Sequence, residues 1–194
     1  MILYYAPGAC SQASHIALVA AGIPHQLVKV GRDRRTEDGR DFNLINPKGY
    51  TPALDLGDGV ILTENLAILA YIAEQSGKLL AIEGLERWRT FEATAFMCTE
   101  IHRSYLPFFR GGTDAEKQAA TETLMKRFGT IVEQLGDKPF LVGAQFTIAD
   151  CYLFVMLSWA TMMGIALPQP LVAYLARTKE LPAVASTLRA EGLA

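Results

Sequence analysis

The stretch YYAPGACSQASHIALVAAG, Tyr4 to Gly22, changes character at its middle. Before it ends, MILYY (Met1–Tyr5) is a short run rich in β-formers and reads as a strand. Then APGA breaks the pattern. From Ser11 onward the apolar residues Ala13, Ile16, Ala17, Ala20 and Ile23 recur at helical spacing. Gly22 and Pro24 end that helix. HQLVKV (His25–Val30) follows as a second strand. It is reached through a crossover helix, so it is expected to lie parallel to the first. The stretch also puts Cys10 where strand gives way to helix. A helix N-terminus presents unpaired N–H groups and partial positive charge, conditions that favour a thiolate. Most lone cysteines are simply small buried hydrophobes, and at this point both readings stand.

Working outward, GRDRRTEDGRD (Gly31–Asp41) mixes both charge signs and reads as a solvated connection. NPKGYTPAL follows, then ALDLGDGVILTE, a hairpin pattern with two apolar runs around Asp58-Gly59. ENLAILAYIAEQSG reads as a helix closing near Gly77. The order β-α-β-(α)-β-β-α is the thioredoxin-like arrangement, assigned to residues 1–77. After a short linker at 78–83 only helical patterns remain, giving an all-helical domain over 83–194. LERWRTFEATAFMCTEIHRSYLPFF reads as one long helix stopped near Pro107. Further helices are expected in DAEKQAATETLMKRFGTIVEQLG, from FTIADCYLFVML, and twice in PLVAYLARTKELPAVASTLRA.

Composition narrows the function. The chain has 194 residues, about half of them apolar, and a net charge of −2. That balance gives no support to nucleic-acid binding, which needs a basic excess. Cys10, Cys98 and Cys151 are an odd number without metal-ligand spacing, and no signal peptide is read at the start. A cytoplasmic location is therefore expected. The uncharged run between Asp150 and Arg177 has the length of a membrane span. Pro168 and Pro170 cut it short, so it is expected as a buried helix, without membrane insertion.

Several short motifs carry chemistry. In a thioredoxin-like domain the proline before the third strand, here Pro52, is cis. It leaves the backbone of Thr51 open to an extended peptide-like ligand, whereas the plain alternative is a turn proline. In TEN (Thr63–Asn65) the N–H groups of a helix start suit a carboxylate, and Glu64 suits an ammonium group. Simple capping by Thr63 or Asn65 is the alternative. FTIAD reads as a capping box with Thr147 and Asp150. No metal site is indicated, since His15, His25 and His102 lack ligand-like spacing.

Taken in order, YYAPGACS, NPKGYTPAL, LTEN, TEIHRSYLPFF, FTIADCYLF and the closing EGLA span the whole chain. Together they resemble the bacterial cytosolic glutathione transferases of the beta class. The resemblance implies a thioredoxin-like domain, an all-helical domain, a homodimer, and glutathione as co-substrate. It implies that Cys10 replaces a catalytic tyrosine or serine, with Ser11 and His102 assisting. Tyr5, Tyr50, Thr51, Pro52, Glu64, Asn65, Glu100 and Arg103 would contact glutathione, Glu100 on the partner subunit. Trp159 would wall the hydrophobic co-substrate site. Arg103 stands where lysine is usual, which keeps the charge and changes its geometry. Asn65 stands where a small residue is usual, and Gln12 and Ser14 replace a common leucine and proline.

The implied activity is conjugation of glutathione to hydrophobic electrophiles in detoxification. Thiol–disulfide exchange or peroxidase chemistry through Cys10 is expected beside it. A non-catalytic binder of apolar ligands and a specialised dehalogenase or isomerase are the alternatives.

Overall fold

The computed structural model describes residues 1–194. The first part of the chain forms β1 (Ile2–Tyr5), α1 (Ser11–Ala21), β2 (Gln26–Lys29) and α2 (Phe42–Ile45). β3 (Ala53–Asp55), β4 (Ile61–Thr63) and α3 (Asn65–Ser76) complete it. Next come α4 (Gly84–Phe96), α5 (Leu106–Phe109), α6 (Asp114–Leu135), α7 (Ile148–Met162) and α8 (Gln169–Lys179). The chain closes with α9 (Pro182–Ala190).

These elements form two compact units, Met1–Leu80 with Leu181–Ala194, and Ala81–Glu180. The closing segment thus joins the first unit, whereas the sequence reading left it in the helical domain at 83–194. The physical reason is that α9 packs on α1 and buries Glu191 there.

In the first unit the sheet order is β2-β1-β3-β4. β1 pairs parallel to β2, as a crossover through α1 requires, and antiparallel to β3. Alternation along β1 sends Tyr4 to one face and Leu3 to the other. Tyr4 joins Val30, Phe42 and Ala53 in one buried cluster, with the Phe42 ring 5.7 Å from its own. α1 and α3 pack against one another and bury Ile16, Ala17, Ile68, Leu69 and Ile72 completely. α1 shows only a weak apolar stripe because it is covered on more than one side. Ser11 through Leu18 are all buried. It stops at Gly22, which takes φ 75° and turns the chain back on the Leu18 and Val19 carbonyls.

The second unit centres on α7, whose residues Cys151 to Leu157 are all buried. α7 ends at Met162, and no helix in the structure is long and apolar enough to cross a membrane. The expected single helix ending near Pro107 is instead a composite. After α4 comes one π-helical turn, Met97–Ile101, and then a 3-10 turn, His102–Tyr105. Pro107, which has no N–H to donate, lies in the first turn of α5, where none is needed. Widening and then tightening the helix changes the direction of the side chains that follow.

The capping box at α7 is present and does more than cap. The Asp150 carboxylate accepts from the Thr147 N–H at 2.9 Å and its hydroxyl at 2.7 Å. It also accepts from the Leu141 N–H at 2.8 Å and the Tyr174 hydroxyl at 2.6 Å. Asp150 is fully buried, and that desolvation raises its pKa despite four donors. One side chain thereby fixes the loop before α7 and the middle of α8. Asp150→Ala leaves buried donors unpaired and is expected to lower stability by about 3 kcal/mol in urea unfolding. A loss within experimental error would show that the loop holds itself.

Candidate functional site

Three chain reversals in the first unit meet at Cys10. The thiol occupies the N-cap position of α1 and donates to the Thr51 carbonyl oxygen at 3.6 Å. Thr51 precedes Pro52 across the cis bond that the sequence reading expects. The Asn65 amide donates to the Cys10 carbonyl at 2.7 Å, and its oxygen accepts from the Ser14 hydroxyl at 2.6 Å. Asn65 and Ser14 are both buried, so these bonds are shielded from water. The Asn65 side chain thereby joins the start of α3 to the start of α1.

The Ser11 hydroxyl is completely buried, accepts from the Ala6 N–H at 3.1 Å and donates to the Ala6 carbonyl at 3.1 Å. It closes the loop leading to Cys10, and its oxygen is engaged there. Tyr5 is buried, and its pKa is raised, first by burial and then by Glu191 and Glu37. Glu191 was not singled out from the sequence. Its buried carboxylate accepts from the Gly8 N–H at 2.9 Å, Gln12 Nε2 at 3.0 Å and His15 Nδ1 at 2.8 Å. No local pattern signals a contact across so much sequence.

A charged rim completes this side. Glu64 takes φ 71° and ψ 121°, a conformation a non-glycine residue adopts at a cost of about 1–3 kcal/mol. Its carboxylate accepts from Lys48 Nζ at 2.6 Å and from the Tyr50 hydroxyl at 2.8 Å. Lys48 also donates to the Thr63 hydroxyl at 3.0 Å. The hydrogen bond from Lys48, then that from Tyr50, lowers the pKa of Glu64. Neither Thr63 nor Asn65 caps α3 with its side chain, since Glu64 holds the N-cap position. Lys48 and Asn46 were missed, although both lie in NPKGYTPAL. Buried Asn46 donates to the Tyr50 carbonyl at 2.8 Å and shapes the turn before Thr51.

The second unit holds the remaining expected residues. His102 Nδ1 lies 2.6 Å from the Tyr152 hydroxyl, and its ring meets Trp159 edge-on at 5.0 Å. Burial lowers the His102 pKa and favours the neutral ring. Trp159 is only 5% exposed, with Phe109 edge-on at 4.7 Å. Phe109 itself is 46% exposed. Tyr152, Met156 and Trp159 share one face of α7, and Met156 accepts from the Tyr105 hydroxyl at 2.6 Å. That spacing was a legible signal for Tyr152. Glu100 pairs with Arg127 at 2.6 Å within the chain, and Arg103 is exposed beside Ser104, Pro107 and Glu116.

No group of three His, Cys, Asp or Glu side chains is placed to hold a metal ion. The arrangement offers a thiol against the Thr51 backbone carbonyl, a helix start, and a mixed-charge rim. That combination suits an extended, zwitterionic, peptide-like thiol.

Comparison with known proteins agrees. Residues 8–75 match the family model of the glutathione S-transferase N-terminal domain, and residues 114–186 that of the C-terminal domain. Glutathione S-transferase GstA of Escherichia coli O157:H7 is 40% identical, with both chains covered completely. A sphingomonad glutathione S-transferase solved in complex with glutathione superposes with a TM-score of 0.93 at 40% identity. The beta-class enzyme of Sphingomonas chungbukensis gives 0.91 at 40%, and both structures are covered along their full length. The chain therefore belongs to the glutathione S-transferase family, alongside its bacterial beta-class members.

Proposed function

We propose that the protein conjugates glutathione to hydrophobic electrophiles and carries out thiol–disulfide exchange through Cys10. The observation that carries this reading is the Cys10 thiol against the Thr51 carbonyl, beside Pro52 and the start of α3. The cysteinyl backbone of glutathione pairs with Thr51, as an added strand pairs with a sheet edge. Its γ-glutamyl headgroup carries both an ammonium and a carboxylate group. Glu64 meets the first, and the N–H groups at the start of α3 meet the second.

Only a thiolate attacks an electrophile at a useful rate. The α1 N-terminus, with its partial positive charge, favours anionic sulfur there. In conjugation the attacking sulfur is that of glutathione, and the electrophile loses its leaving group or accepts the anion. In exchange, Cys10 thiolate attacks the glutathione sulfur of a mixed disulfide between glutathione and another thiol, forms the Cys10–glutathione disulfide and releases that other thiolate. A free glutathione thiolate then attacks the glutathione sulfur of this disulfide, which frees Cys10 thiolate and leaves glutathione disulfide as the product. Ser11 and Asn65 serve by holding the loop and the helix starts. Phe109, backed by Trp159, offers the apolar co-substrate a ring surface. Exposed Leu85 and Trp88, one turn apart on α4, support a homodimer, and the composition supports a cytoplasmic site of action.

Two outcomes test the reading. Cys10→Ala is expected to abolish disulfide exchange and only reduce conjugation, in parallel assays on folded protein. Equal loss of both would defeat that division. Lys48→Met removes the main cause of the lowered Glu64 pKa, so carboxyl-carbon NMR is expected to show that pKa rise. Because the folded pKa is depressed, the rim's contribution exists above the ordinary glutamate pKa. It is lost as pH falls through the folded value. An unchanged Glu64 titration would remove Lys48 from the rim.

A further inference from the structure

The second unit contains a histidine–phenol pair whose geometry has a direction. His102 lies in the 3-10 turn that follows the π turn, and Tyr152 lies on α7, 1% exposed. The 2.6 Å separation between Nδ1 and the hydroxyl is short for such a pair. Trp159 stands edge-on to the same imidazole at 80°, so the ring plane is held as well as one of its nitrogens.

We propose that Tyr152 is a positioning residue that donates its hydroxyl proton to His102 Nδ1, which keeps the imidazole proton on Nε2. The argument is one of relative acidity. A phenol is a far stronger acid than the N–H of a neutral imidazole, and imidazole nitrogen is the better base. The shared proton therefore belongs to the phenol, and Nδ1 is the acceptor. The burial that disfavours imidazolium keeps Nδ1 unprotonated and able to accept. With Nδ1 occupied, Nε2 must carry the remaining hydrogen. His102 is then a fixed N–H donor, suited to anionic sulfur or to negative charge developing on an electrophile. That chemical use rests on the transferase reading, whereas the tautomer does not.

Nitrogen–proton correlation NMR of the unliganded full chain reads the tautomer directly. The chain has three histidines, so His102→Asn identifies the signal that disappears. The expected result is an Nε2–H pattern for His102 in the native protein. In Tyr152→Phe, which keeps the ring and removes one oxygen, the pattern shifts to a mixture of tautomers. Conjugation kcat is expected to fall about fivefold, the rate equivalent of one neutral hydrogen bond, with KM for glutathione unchanged. A native Nδ1–H pattern overturns the proposal, even if the variant does not fold. So does a pattern unchanged in Tyr152→Phe. If the native protein shows no conjugation, the transferase reading fails while the NMR pattern still decides the role of Tyr152.

Discussion

The first unit depends on one small piece of stitching, the buried Asn65 side chain between two helix starts. Its amide holds the Cys10 carbonyl and its oxygen holds the Ser14 hydroxyl. A carbonyl at the first turn of a helix already accepts from its own helix, as Cys10 does from Ala13. The amide occupies its second lone pair, which fixes the position of the Cys10 backbone without disturbing α1. Ser11 secures the loop on the other side through Ala6, and Glu191 secures it further back through Gly8. The thiol is therefore aimed by bonds to its neighbours' backbones. These bonds also explain why so many polar residues of α1 are buried. Ser11, Gln12, Ser14 and His15 lie inside the protein because each has a partner there.

The division between legible and illegible features follows sequence distance. The strand–helix–strand opening, the hairpin, the cis proline and the α7 capping box are local patterns, and the structure contains each of them. Glu64 and Tyr50 were named as ligand contacts, and the structure brings them together with Lys48. Less legible were the places where one side chain joins two elements. The Ser11 hydroxyl bonds Ala6, and the Asn65 amide group bonds Cys10 and Ser14. Glu191 opens the closing EGLA, but its role was not legible there because its partners lie at the opposite end of the chain. Trp159, expected to wall a co-substrate site, is 5% exposed with Phe109 edge-on to it, an arrangement reached through the turns after Ile101. Periodicity read those turns as plain helix.

The second unit shows how local backbone irregularity and a buried network divide the labour. Asp150 fixes the segment around the start of α7, a task that needs burial and several donors. The π and 3-10 turns re-aim His102 without ending the helical path. The aromatic cluster then sets the ring, with Tyr152 on one nitrogen and Trp159 across its face. Asp150 at the start of α7 and Tyr152 and Trp159 further along it therefore serve different networks of the same helix.

The account stands on the first unit holding glutathione at the point where the three reversals meet. The most direct measurement is a calorimetric titration of glutathione into the native protein and into Cys10→Ala. The account predicts saturable binding, one molecule per chain, in both proteins, because Thr51, Glu64 and the start of α3 supply affinity and Cys10 supplies chemistry. No detectable heat of binding up to millimolar glutathione, in folded native protein, would contradict it.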